Sequence, residues 1–172
     1  MHRLRDQRGQ ALVEFAIILP IVLVILLGVV AFGLAFNAQN NEANLANLAI
    51  RLADVNLCTQ CNAGDGGQQI SKYIIKQADT KQLTNDGLTI CFFSPPGSPA
   101  VDPSHPKAGD PVEVKLSSNF KWFHYTGLNF GTTAIVARVT GRLEQDYTGA
   151  TYLLNSKYDS LTGLATSDPG CA

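Results

Sequence analysis

From Phe15 to Phe36 the chain reads FAIILPIVLVILLGVVAFGLAF, with no charge and no hydrogen-bonding side chain. About 20 apolar residues in an α-helix cross the roughly 30 Å of hydrocarbon in a bilayer. A helix buried in a soluble core would carry some polar periodicity, and this run carries none. The segment therefore predicts a membrane-spanning helix. Pro20 and Gly28 fit that reading because membrane helices tolerate both, although Pro20 removes one backbone donor. Composition alone hides the feature: 45% hydrophobic residues over 172 positions and a mean hydropathy of +0.05 resemble an ordinary soluble domain. The 13 Lys and Arg against 14 Asp and Glu give a net charge of -1, so no electrostatic footprint for nucleic acid exists.

The flanks give an orientation. His2, Arg3, Arg5 and Arg8 precede the run, offset by Asp6, and no basic residue follows Phe36 until Arg51. The positive-inside rule leaves the N-terminus cytoplasmic and exports everything after Phe36. A cleaved secretory signal would have an apolar core of about 7–15 residues and a small-x-small cleavage site. This run is too long, and Leu34-Ala35-Phe36-Asn37-Ala38 matches such a site poorly.

Glu14 interrupts the apolar stretch near its start, between Val13 and Phe15. A carboxylate near hydrocarbon costs roughly 2.5–3.5 kcal/mol on insertion scales unless it is paired or interfacial. Snorkelling to the cytoplasmic headgroups would relieve that cost. The neighbours suggest more: a basic leader ends in Arg8-Gly9, and Glu14-Phe15 follows five residues after the glycine. This pattern resembles the prepilin signature of type IV pilins and pseudopilins, in which a membrane peptidase cuts after a glycine and a glutamate stands fifth in the mature chain. More narrowly, RGQALVEFAIILPIVLVILLGVVAFG is similar to the TadE-like family of tight-adherence (Tad) pilus pseudopilins, with Arg8, Gly9, Glu14, Phe15 and Pro20 all in place. The resemblance implies cleavage between Gly9 and Gln10. The new ammonium at Gln10 would lie one helical turn from Glu14 on nearly the same face. In an assembly, Glu14 of one subunit would meet the Gln10 ammonium of another, which offsets the burial of both charges and fixes axial register.

Past the membrane, ANLANLAIRLA over 43–53 has Leu45, Leu48 and Leu52 three and four apart, an amphipathic period with Asn44, Asn47 and Arg51 off the stripe. One helix from Ala11 to Val55 is expected, roughly 67 Å long. A second helix is expected over 68–81, with Ile70, Tyr73, Ile74 and Ala78 on one face. Strands are expected at Leu88–Phe93, Pro111–Ser117 and Ile135–Glu144, the last with Ile135, Ala137, Val139 and Leu143 on one side. Five prolines between Ser94 and Asp110 make that stretch a loop. The fold class is α+β, a long N-terminal helix packed on a small antiparallel sheet, as in pilin-like heads. The expected organisation is a basic leader 1–9, a transmembrane helix 10–36, an exported head 37–146 and an irregular tail 147–172. The resemblance covers about 3–144 at decreasing strength, and Thr132 to Val139 is similar to the family's C-terminal strand.

Cys58, Cys61, Cys91 and Cys171 are an even set in the region assigned outside the cytoplasm, which favours disulfides, in any of three pairings. Cys58-x-x-Cys61 alternatively suits a zinc half-site or a redox pair. Zinc would need two more ligands, and Cys91 and Cys171 lack paired spacing. The redox reading wants the pair at a helix start, whereas here it follows a helix end. No metal or cofactor is expected. His105 lies in the proline loop and His124 in the aromatic stretch Phe120 to Tyr125. G-x-S-x-G, H-E-x-x-H and P-loop motifs are absent, so an enzyme is not expected.

With the resemblance, the expected function is a minor pilin or pseudopilin-like subunit of a bacterial Tad-type pilus or related secretion apparatus. Its place would be the bacterial inner (cytoplasmic) membrane, single-pass. The implied partners are the membrane, a prepilin peptidase, other pilin or pseudopilin subunits and the assembly platform. One alternative is an uncleaved TadE-like inner-membrane assembly factor. Another is a membrane-tethered exported enzyme or binding protein.

Overall fold

The structure is a computed structural model that describes residues 7–55, 69–78, 83, 87–96, 106–122, 131–145, 156–161 and 165–167. The apolar run and the alanine-rich stretch behind it form one helix, α1 (Gln7–Asp54), with Pro20 inside it. It starts earlier than the expected Ala11. Residues 1–36 and 37–172 are two compact units.

In the first unit the helix keeps most of its large apolar side chains on the outside. Leu12, Phe15, Ile17, Val24, Val29 and Phe32 are all at least 60% exposed. A face this apolar on every side suits lipid or other apolar helices and not water. By length and composition, α1 is able to cross a membrane.

The second unit is built on residues 37–54 of α1. Ala38, Leu45, Ala46, Ala49, Ile50 and Ala53 form its buried stripe, while Asn44, Asn47 and Arg51 are exposed. Leu48 and Leu52, expected on the stripe, instead flank it half-buried. The physical reason is bulk: alanine lets the helix backbone approach the sheet closely, and leucine fits better at the margin. A short helix, α2 (Gln69–Lys76), adds Ile70 and Ile74 to the same core. It ends five residues before the expected Lys81, with Ala78 buried just beyond it.

The sheet contains β1 (Leu88–Phe93), β2 (Pro111–Lys121), β3 (Thr132–Arg142), β4 (Ser156–Asp159) and β5 (Ala165–Ser167), in the order β3-β2-β1-β4-β5. Every neighbouring pair is antiparallel, with Ile90 opposite Leu116 and Tyr158, and Leu116 opposite Ala137. Strand alternation puts Leu88, Ile90, Phe92, Val112, Val114 and Leu116 toward the helices, where they are buried in one cluster. Burying each such side chain contributes about 1.5–3 kcal/mol. Cys91 and Phe93 form a separate small cluster, on alternate positions of β1.

The sheet departs from expectation in two places. β2 runs four residues past Ser117, because Ser118 and Phe120 continue the buried alternation through a polar-looking stretch. The expected irregular tail, 147–172, instead supplies β4 and β5, which pair beside β1. These strands are only four and three residues long, too short to show a period.

Candidate assembly and processing segment

Gly9, Gln10, Glu14 and Phe15 all lie in the opening turns of α1 and are exposed. The Gln10 side-chain amide Nε2 donates to Glu14 Oε1 at 3.2 Å. The i, i+4 spacing thus brings together the two residues expected on one face. Phe15, the next residue, is 61% exposed and begins the apolar surface. Gly9 is helical, and an added Cβ there would meet nothing within 4 Å. Its lack of a side chain is therefore not required by packing within this chain. Glycine weakens a helix by roughly 1 kcal/mol relative to alanine, so this first turn opens at lower cost than one built on alanine.

The candidate disulfide residues divide. Cys91 is disulfide-bonded and 5% exposed, while Cys58, Cys61 and Cys171 lie outside the described residues, as do His105 and His124. Among the described residues no group of three His, Cys, Asp or Glu side chains is placed to hold a metal.

Residues that no motif singled out are found where α1 meets the sheet. Glu42, in the polar-looking stretch NAQNNEAN, is fully buried and accepts a short hydrogen bond from the Ser118 hydroxyl of β2. Its other oxygen, Oε2, has no hydrogen-bond partner among the described residues. Burial pushes its carboxyl up to about 7 against the partial opposition of the Ser118 bond. A signal was available: Ala38, Glu42, Leu45, Ala49 and Ala53 continue one helical stripe. At the far end, Asp54 is raised above the ordinary carboxylate range by burial and by the nearby Glu144. The Asp54 carbonyl accepts from Glu144 N at 2.7 Å, which ties the end of α1 to the end of β3.

The segment is thus an apolar helix with Gly9 in its first turn, a carboxylate at Glu14 and a second half packed on a sheet. Residues 9–51 match the model of the TadE-like protein family. The TadE-like segment spans the exposed apolar part of α1 and most of the part that packs on the sheet. Together with the membrane-length helix, it fits a subunit associated with a Tad pilus. No curated protein and no solved structure matches the chain.

Proposed function

We propose that the chain is a minor pilin or pseudopilin-like subunit of a bacterial Tad-type pilus or related secretion apparatus. In this reading its N-terminus is cytoplasmic, its head is exported and a prepilin peptidase cuts between Gly9 and Gln10. The observation that carries the reading is the position of Glu14. It lies in the TadE-like segment, one helical turn from Gln10, at the start of an apolar surface that the chain itself leaves exposed. Helices with such surfaces need partners, and apolar contact alone leaves their axial register loose. A carboxylate that must find an ammonium in a low-dielectric setting sets that register, because either charge buried alone costs several kcal/mol. After cleavage the new ammonium of Gln10 would first meet Glu14 of its own chain, and assembly would exchange that contact for the one between subunits. Cleavage itself requires the first turn of α1 to unwind into the peptidase, and Gly9 lowers that cost.

The test is co-expression with a prepilin peptidase followed by N-terminal sequencing. The expected mature residue is Gln10, and Gly9→Val blocks the cut by placing a branched side chain beside the scissile bond. Glu14→Ala still inserts but fails to enter the assembly. An intact Met1 after co-expression would overturn the processing step. Normal assembly by Glu14→Ala would overturn the pairing step. The helical state of Gly9, which an uncleaved chain keeps, favours a second reading, an uncleaved inner-membrane assembly factor. Both failures together would leave that reading in place.

A further inference from the structure

A fully enclosed carboxyl group with a single donor is an unstable way to hold a helix on a sheet, and this instability has a direction. Glu42 stands at the contact between the 37–54 part of α1 and β2. It has Ser118 on Oε1 and no partner for Oε2 among the described residues. As a neutral acid it leaves one weakly polar atom unpaired. As a carboxylate it leaves a charge nearly unsolvated.

No other charge among the described residues compensates it. On α1, Arg51 is exposed and Asp54 lies three turns further along. On β2 and β3, Glu113, Lys115, Lys121, Arg138 and Arg142 occupy the alternate positions that face away from Ser118, and Arg138 pairs with Glu113 at 3.7 Å. β1 carries no ionisable group on the core side. Tyr158 of β4 and Tyr73 of α2 pack on the core by their rings, and Lys72 and Lys76 lie off the buried Ile70–Ile74 stripe of α2.

We propose that Glu42 and Ser118 form a proton-operated latch that holds the 37–54 part of α1 against β2 when the carboxyl is neutral and releases it when the carboxyl ionises. The latch is independent of the pilus assignment, since it depends only on packing within the second unit. If that unit is exported, it meets the pH of the outside medium. The change is the loss of one proton from Glu42 to solvent, with no other chemistry.

The test is hydrogen–deuterium exchange of the full chain in detergent micelles from pH 5 to pH 8, expressed as protection factors so that the intrinsic pH dependence is removed. With the closed-state carboxyl at about 7 and an ordinary value of 4.5 when open, peptides covering 38–46 and 116–120 should lose protection by roughly 70-fold, levelling above neutral pH. Glu42→Gln should flatten the profile, and Ser118→Ala should keep it while moving its midpoint to higher pH, because the hydroxyl favours the carboxylate. Asp54→Asn, which acts on the stability of the whole unit, should leave in place the excess loss of protection in these two segments over β1. A flat wild-type profile, an unchanged slope in Glu42→Gln, or loss of the slope in Asp54→Asn would each overturn the latch. An equal response in peptides from β1 would also overturn it, by showing a change in global stability. If Glu42→Gln does not fold, the wild-type profile and the Ser118→Ala midpoint decide the matter.

Discussion

Gly141 of β3 sits opposite Val112 on the side of the sheet that carries the helix, directly under the last turn of α1. A Cβ placed there would stand 2.6 Å from Asp54 Oδ2 and 2.7 Å from Ile50 Cγ1. Ordinary contacts begin at about 3.5 Å, so Gly141→Ala forces a retreat of nearly 1 Å somewhere. Asp54 can swing its carboxylate aside at small cost. Ile50 cannot, because it is 5% exposed and the offending atom lies close to its backbone. Pushing the helix back also strains the bond from Glu144 N to the Asp54 carbonyl. Overpacking of this kind costs about 1–3 kcal/mol. With about 2 kcal/mol lost, the melting temperature of the head should fall by roughly 5–10 °C. The assay is thermal unfolding by circular dichroism of the detergent-solubilised full chain, with Gly28→Ala as the control, since a Cβ there meets nothing within 4 Å. A Gly141→Ala melting temperature within about 1 °C of wild type would refute the idea that helix and sheet are held this close.

Three further outcomes are expected of the second unit. Ala49→Leu adds bulk at a fully buried position between helix and sheet and should cost about 1–3 kcal/mol in chemical denaturation; an unchanged midpoint would mean the helix stands off. Asp54 has a folded-state pKa above its ordinary 3.8, so its contribution to stability is present at low pH and lost as pH rises through the raised value. Asp54→Asn should therefore gain on wild type at pH 8 relative to pH 4, and a pH-independent difference would contradict that. Alkylation of the unreduced full chain should find fewer than four thiols; four reactive cysteines would contradict the disulfide at Cys91, and reduction should loosen the second unit while leaving membrane insertion intact.

What was legible in the sequence depended on how long each pattern persisted. The apolar run declared α1, because an uncharged stretch of that length suits little besides a membrane-crossing helix. β1 was legible to the residue, since Leu88 to Phe93 is a short apolar block between turn residues. β3 showed its inward positions, with Ala137 and Val139 packed on the core, although its start lies three residues earlier than expected. β2 faded at Ser117-Ser118-Asn119 because a core serine looks like a surface one until its acid partner is known. Glu42 escaped for the matching reason: a lone carboxylate among asparagines looks solvated, and its partner lies 76 residues away in the chain. β4 has one buried side chain, Tyr158, among those described and so gives no alternation to read. At the opening of α1, spacing alone joined Gln10 to Glu14, because i, i+4 neighbours on a helix are fixed by geometry.

The place of β4 in the sheet also sets the timing of the molecule's birth. β1 lies between β2 and β4, and its second partner is made only when Ser156 to Asp159 has been synthesised. At about 5–20 residues per second, β1 waits roughly 3–13 s with one ladder open. The apolar helix leaves the ribosome long before that. Anchor and head therefore mature in a fixed order: the greasy end is ready for the bilayer while the middle strand is still half-paired. An unfinished chain stopped before Ser156 would leave one edge of β1 unpaired, an open template for pairing with another chain.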